Sequence, residues 1–458
     1  MVRVAGAFPL AAPLWCLLAG LSAWPATAAP PAAVTEAPAP PIEELVAAAL
    51  ARSPALAALR AELQAARESE PPAAVLPDPM VEGTFQNAGL TRYTVGKDEN
   101  SMLALGVRQG FPYPGKRGAR LAAAQAETAV RAAALARGER GTVTAVRTIY
   151  ARLYALDGEA ASLAAAHELL DLLAATAQSR YSTGQSEQEA LLKAQIVLSR
   201  LAERRAELGA QRAEAVAELN RLLDRAGDEA LGRVAELPPV DVPPAPWAGL
   251  AVAGSPEVAM AQADVGAASR RLALARLDLR PDFSAGAGIG YRNSLPPMVT
   301  LSLGVELPLW RRRKQEPLVR AAEQELAAAR YRLAETEAAA RSMAARLDGR
   351  WTAAGEQVKR LREGILPQTS AAIDAARASY QAGRGDFTTV AQDFELWLEA
   401  RTDLAARIAE RFTAWAELEA LVAAPPAAAL APAASPASPP GLPPAPPATT
   451  RNSSGDLP

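Results

Sequence analysis

The sequence predicts a mainly α-helical protein with a small membrane β part, a tandem-repeat protomer with four β-strands and long coiled-coil helical hairpins. Three observations lead there. The chain is duplicated: RYSTGQS at 180–186 returns as SYQAGRG at 379–385, so Tyr181 pairs with Tyr380 and Gly184 with Gly383. The same offset aligns Ala217-Glu218-Leu219 with Ala416-Glu417-Leu418, and small gaps bring Ser53-Pro54 onto Ser255-Pro256 and Pro77-Asp78 onto Pro281-Asp282. Halves related in this way carry the same elements in the same order. In each half, a pair of segments with two-residue alternation precedes a long run with seven-residue periodicity.

The elements follow in order. Residues 1–28 read as a secretory signal: Arg3, an apolar stretch from Val4 to Leu21, and Ala26-Thr27-Ala28 as the cleavage site. Cys16 follows Leu14-Trp15 rather than the small residues an acylation site needs, and no other cysteine follows it, so no disulfide or thiolate metal site is expected. The first structural repeat is expected over 29–230. A helical pattern at 41–68 is interrupted at Ser53-Pro54, because proline disfavours helix at the residue before it, and Leu76-Pro77-Asp78-Pro79 ends it. Strands are expected from Met80 to Phe85 and from Met102 to Phe111, with a polar loop near 90–100.

The second repeat, 247–424, shows the alternation more plainly. Val299, Leu301, Leu303, Val305 and Leu307 point one way, and Thr300, Ser302, Gly304 and Glu306 the other; Phe283, Ala285, Ala287, Ile289 and Tyr291 repeat the pattern, and a loop is expected at 293–298. About ten residues is what a tilted strand needs to cross a bilayer. Alternation alone fits a half-buried soluble sheet equally well. Scarcity of charge and the terminal clusters favour the membrane: Phe111, Tyr113, Lys116 and Arg117 close one pair, and Trp310, Arg311, Arg312, Arg313 and Lys314 the other. Phe111, Tyr113 and Trp310 are therefore candidates for a membrane-interface belt; the basic run also suits a solvated helix start.

Long helices come next. Residues 117–180 lack proline, and Ile149, Leu156, Leu163 and Leu170 recur every seven residues; Leu326, Leu333, Ala340, Leu347, Ala354 and Leu361 do so in the second repeat. Such repeats supercoil helices left-handedly. The returning helix has Ala194, Leu201, Leu208, Ala215 and Leu222 in register, with Gly184 and Gly383 at the hairpin tips. A Pro-rich linker (231–246, densest at 237–246) joins the repeats, and the Pro/Ala-rich tail, 425–458, is expected to be disordered. Four strands cannot close a barrel, and an open sheet edge cannot face lipid. Three copies would supply a 12-stranded β-barrel, extended by an α-helical tunnel.

Several functions are excluded. A net charge of −2 gives no basic face for nucleic acid. No nucleophile, base or metal cage is assembled, so an enzyme, a cofactor and a tightly held metal are not expected. The one histidine, His167, falls in the row Val146, Leu153, Ala160, His167 and reads as a seam residue.

Residues 365–422, with ILPQ, a Tyr380-x-x-Gly383 tip and a closing helix ending in Ala-x-x-x-Leu, resemble the TolC-like outer-membrane efflux proteins, trimeric ducts with a β-barrel and a periplasmic helical tunnel. The resemblance spans roughly 41–424. Leu76-Pro77-Asp78-Pro79 and Gln109-Gly110-Phe111-Pro112-Tyr113-Pro114-Gly115-Lys116 resemble the heavy-metal branch (cobalt–zinc–cadmium or copper–silver). The resemblance implies a homotrimer in outer-membrane lipid, working with a periplasmic adaptor (membrane fusion protein) and an inner-membrane pump of RND type. It places adaptor docking at Thr183, Gly184, Gln185 and Ser186 and at Ala382, Gly383, Arg384 and Gly385, although Gln185 and Arg384 replace the family's usual apolar residues. The aspartates that close some members are replaced by Thr389 and Gln392; Asp386 and Asp393 are the carboxylates that could constrict the entrance, or could cap and solvate a helix. Drug efflux and type I secretion ducts are the alternatives within this reading, and a periplasmic coiled-coil adaptor or spacer is the rival outside it.

Overall fold

The computed structural model describes residues 38–86, 101–183, 188–240, 246–292 and 295–422. The expected signal segment, the 90–100 loop, the tip residues Gly184, Gln185 and Ser186, and the C-terminal tail lie outside the described residues.

Two short helices, α1 (Ile42–Arg52) and α2 (Pro54–Glu68), meet at Ser53-Pro54, where proline takes the first helical position of α2. A third, α3 (Glu70–Ala74), is an addition to the sequence reading: Pro71 and Pro72 occupy the first turn of a helix, where a missing N–H costs nothing. Strands β1 (Met80–Gln86) and β2 (Met102–Phe111) lead into α4 (Lys116–Ser182), 67 residues and about 100 Å long. It pairs with α5 (Gln188–Leu222). The ladder Arg152–Glu214, Asp157–Arg212 and Glu159–Arg204 shows that the pair runs antiparallel.

The second repeat supplies α6 (Trp247–Gly254), α7 (Pro256–Leu277), β3 (Asp282–Arg292), β4 (Leu295–Glu306) and α8 (Gln315–Arg360). The Ser255 hydroxyl caps α7 by accepting from the Val258 N–H. The expected 293–298 loop is shorter in the structure, since β4 begins at Leu295. Pro296 and Pro297 are tolerated there because β4 is an edge strand whose outer side needs no donors.

α8 passes through a π-turn (Leu361–Ile365) into α9 (Leu366–Gln381), and α10 (Phe387–Val422) returns. Pro367 cannot donate to the preceding turn, and the wider π-turn lies directly upstream of it. This turn also carries one inserted residue. Before it, buried Ala344, Leu347, Ala354 and Leu361 match buried Val146, Ile149, Leu156 and Leu163, whereas beyond it the offset grows by one and Tyr380 matches Tyr181.

The core is a set of helix seams. Ile149, Leu156, Leu163 and Leu170 are buried on α4, and Ala194, Leu201, Leu208 and Ala215 face them on α5, as the heptads predict. Alanine and glycine bring helices close: a Cβ on Gly158 would lie 2.8 Å from that of Ala405 on α10. The chain after α5 is held in this core. Asp157 accepts from Arg212 Nε (2.7 Å) and from the Val234 N–H (2.8 Å), while Ala39 N donates to the Arg233 carbonyl beside Pro38. One helix, α4, contains a stretch long and apolar enough, by length and composition, to cross a bilayer. Alanine supplies that hydropathy, and the helix instead packs along α5, α7 and α10.

Candidate functional site

The four strands form one antiparallel sheet in the order β1-β2-β3-β4, so the hairpins of the two repeats join edge to edge and leave the outer edges of β1 and β4 free. Its register aligns Phe85 with Leu103, Leu103 with Tyr291, Leu105 with Ile289 and Ile289 with Val299. Every apolar position of the alternation therefore falls on one face. That face is bare: Val81, Phe85, Leu105, Val107, Ile289, Leu301 and Leu303 are exposed, the last at 90%.

The opposite face carries Thr84, Ser284, Ser302, Thr300 and glycines, with Arg108 paired to Glu82 at 3.0 Å. Strands crowd one another on it. A Cβ on Gly288 would lie 3.1 Å from the Leu105 carbonyl oxygen and 3.2 Å from Gly106 Cα. Crowding of this kind belongs to the inner side of a coiled sheet, where glycine permits close backbone approach. The sheet thus presents an apolar convex face and a small, polar concave one.

At the helical end of the sheet, Phe111 and Trp310 are exposed and Tyr113 is half-buried beneath the Arg280 guanidinium, 5.8 Å from its ring centroid. Lys116 departs from the reading that placed it in an exposed cluster at the membrane interface. It is buried at 3% exposure, with Nζ 2.9 Å from Asp282 and 3.6 Å from Asp278, and it donates to the Arg280 carbonyl. Asp282 also accepts from the Tyr113 N–H at 2.7 Å. The hint was in the sequence: Pro281-Asp282 recurs from Pro77-Asp78, but what Asp282 meets is set by the sheet order.

At the far end, the last turn of α4 and the first turns of α5 lie beside the tip that joins α9 to α10. α9 closes in a Schellman motif: Gly383 has φ +74°, its N–H donates to the Tyr380 carbonyl, and the Arg384 N–H donates to that of Ser379. Arg180, near the end of α4, donates to the Tyr380 carbonyl (2.8 Å) and stacks over the Tyr380 ring at 5.0 Å. Lys193 on α5 donates to the Thr388 hydroxyl at 3.0 Å. Phe387 meets Tyr380 edge-on at 5.9 Å. Burial raises the Tyr380 phenol above its ordinary pKa, with Arg180 opposing. The duplicated tyrosines differ sharply: Tyr181 is 42% exposed and Tyr380 2%. Arg180 and Lys193 were missed in the sequence, although the repeat offset already gives serine and glutamine in their places, Ser379 and Gln392.

Of the tip residues expected to dock a partner, Thr183 ends α4 and Ala382, Gly383, Arg384 and Gly385 form the described turn. Asp386 is the N-cap of α10, accepting from the Thr389 N–H at 2.7 Å, which holds its carboxyl below the usual carboxylate range. Asp393 is half-buried one heptad further along α10. His167 does not sit in a seam. It is exposed on α4 and pairs with Asp171 at 2.9 Å, because the row through Val146 and Leu153 leaves the core at Ala160. Toward the tip only the stripe Leu163, Ala166, Leu170, Leu173 and Ala177 remains buried. Among the described residues no group of three His, Cys, Asp or Glu could hold a metal ion.

Comparison with known proteins agrees with this architecture. Residues 247–424 match the family model described as outer membrane efflux protein. No curated protein sequence matches the chain. Among solved structures, the outer membrane protein VceC of Vibrio cholerae is 19% identical, with a TM-score of 0.71 over 83% of this chain and 95% of that one. CusC, studied for its folding and transmembrane channel formation, is 16% identical with a TM-score of 0.73 over 84% and 92%. A membrane protein from Pseudomonas aeruginosa is 15% identical with a TM-score of 0.74 over 87% and 97%. Residues 247–424 thus match an outer membrane efflux protein domain, and the chain as a whole shares the fold of these solved outer-membrane structures.

Proposed function

We propose that the chain is one protomer of a homotrimeric outer-membrane channel, the exit duct of a tripartite efflux system with a periplasmic adaptor and an inner-membrane RND pump. The observation that carries this reading is the sheet: four strands with a bare apolar face, a small polar face and two unpaired edges. Such a sheet is unstable in water and in lipid alike until its edges are paired. Because strand directions alternate, β4 of one copy meets β1 of the next antiparallel, and three copies close twelve strands with the apolar face outward. The helices then continue the wall as a tunnel. A duct of this kind does no chemistry; it acts by opening its helical tips, and adaptor docking at Thr183–Ser186 and Ala382–Gly385 is the step that favours opening. Asp386 and Asp393 put carboxylates at that entrance.

The Leu76–Pro79 and Gln109–Lys116 phrases support a heavy-metal cargo over drugs or secreted protein. Two experiments test the proposal. The detergent-extracted protein should have the mass of a trimer and give single-channel conductance in a planar bilayer; a monomer that never inserts would refute the duct. Cells lacking the gene should become sensitive to zinc, cobalt, cadmium, copper or silver, and sensitivity confined to drugs would remove the metal cargo.

A further inference from the structure

The duplication allows a contact between protomers to be read from a contact within one. In the protomer, Lys116 stands where the chain leaves β2 for α4 and reaches Asp282 at the start of β3, the next strand of the sheet, at 2.9 Å. The second repeat holds the same two positions. Pro281-Asp282 aligns with Pro77-Asp78 at the entry to β1. The buried matches upstream of the π-turn (Val146 with Ala344, Ile149 with Leu347, Leu156 with Ala354) set a register that aligns Lys116 with Lys314, at the entry to α8.

Within one protomer these counterparts cannot meet, for they lie on the two free edges: Lys314 follows β4 and Asp78 precedes β1. Both are exposed, and neither forms an ion pair among the described residues, whereas Lys116 is buried. We propose that Lys314 pairs with Asp78 of the neighbouring copy of this chain, and that this pair repeats, across each protomer boundary, the Lys116–Asp282 pair inside the protomer. The inference rests on the trimeric reading above and adds the residues that hold its edges together. The relation of β2 to β3 is the relation β4 has to the next β1 in a closed antiparallel sheet, so the same reach joins the same chemistry. The boundary has fewer acids than the internal junction, because Ala74 stands where the second repeat has Asp278; Arg311, Arg312 and Arg313 add cations beside Lys314.

The test uses the full chain in a Cys16→Ser background, which leaves no other cysteine. Asp78→Cys with Lys314→Cys, treated with a short bismaleimide on the detergent-extracted protein, should give covalent dimers and trimers on a denaturing gel. Neither single cysteine should do so, and Lys116→Cys with Asp282→Cys should cross-link only within the chain. Charge reversal gives the second arm. Asp78→Lys or Lys314→Asp should raise the protomer concentration for half-dissociation about tenfold or more, and the double reversal should restore it. Absence of linked species in a protein of trimeric mass, with both cysteines reacting with a monofunctional maleimide, would overturn the pair and leave Lys314 facing lipid headgroups or water. A monomeric mass for the parent chain would overturn the trimer itself, and the pair with it.

Discussion

The tie between the two hairpin tips sets a definite expectation for Arg180→Ala. Arg180 makes one charge-assisted hydrogen bond, to the Tyr380 carbonyl at 2.8 Å, and one cation–π contact, to the Tyr380 ring at 5.0 Å. A hydrogen bond to a charged donor is worth about 1.5–3 kcal/mol, toward the lower end for a half-buried side chain. A cation–π contact near the surface adds about 0.5–1 kcal/mol. Together they amount to about 2 kcal/mol, or roughly thirtyfold in a two-state equilibrium. If the tips part when the channel opens, Arg180→Ala should raise the open-to-closed ratio in single-channel recordings by about that factor. Tyr380→Phe supplies the control. The Tyr380 hydroxyl is buried with no protein partner, so its removal leaves the tie in place and should be neutral or slightly stabilising. Equal open probability for Arg180→Ala and the parent chain, at equal trimer yield, would show that this contact does not hold the entrance closed.

The remaining expectations concern the wall and the caps. Leu153→Ala removes a fully buried side chain from the α4 seam and should cost about 3 kcal/mol, seen as a lower midpoint of thermal unfolding by circular dichroism. Gly288→Val drives side-chain atoms into the Leu105 carbonyl and Gly106, so it should abolish assembly while leaving helix content nearly intact; a normal trimer yield would contradict the crowded inner face. The Asp386 carboxyl has a folded pKa held below its unfolded value, chiefly by the Thr389 N–H. Its cap on α10 is therefore present above the usual carboxylate pKa of about 4 and is lost as pH falls through the depressed folded value. Hydrogen exchange at Thr389 should be faster in Asp386→Ala at neutral pH, and the difference should vanish in strong acid.

The parts legible in the sequence are those that repeat locally. Heptads at Ile149–Leu170 and Ala194–Ala215 and the alternation at 299–305 each encode a face, and each face is where the period puts it. Features that depend on distant partners were not legible. Lys116 reads as a surface cation because nothing near it in sequence says that β3 will bring Asp282 alongside. His167 reads as a seam residue because a seven-residue row describes one helix, whereas burial depends on how many neighbours surround that helix at each height. The π-turn was hidden for a different reason: a single inserted residue before Pro367 leaves the heptad row intact through Leu361 and changes only the offset beyond it.

Divergence between the halves then carries information of its own. Where the repeats meet equivalent surroundings they keep equivalent residues, as Val146, Ile149 and Leu156 do with Ala344, Leu347 and Ala354. They part where one copy faces its own chain and the other faces an edge. Tyr380 is covered by Arg180 of the first repeat, while Tyr181 has no counterpart arginine to cover it, since Ser379 stands in that place. Lys116 is likewise satisfied within the protomer, whereas Lys314 forms no ion pair among the described residues. A duplicated chain that closed on itself would have no reason to leave one member of each pair bare. The unpaired members lie at a hairpin tip and at the outer strand edges, the two places where the proposed duct would meet another protein: the adaptor at the first and its own copies at the second.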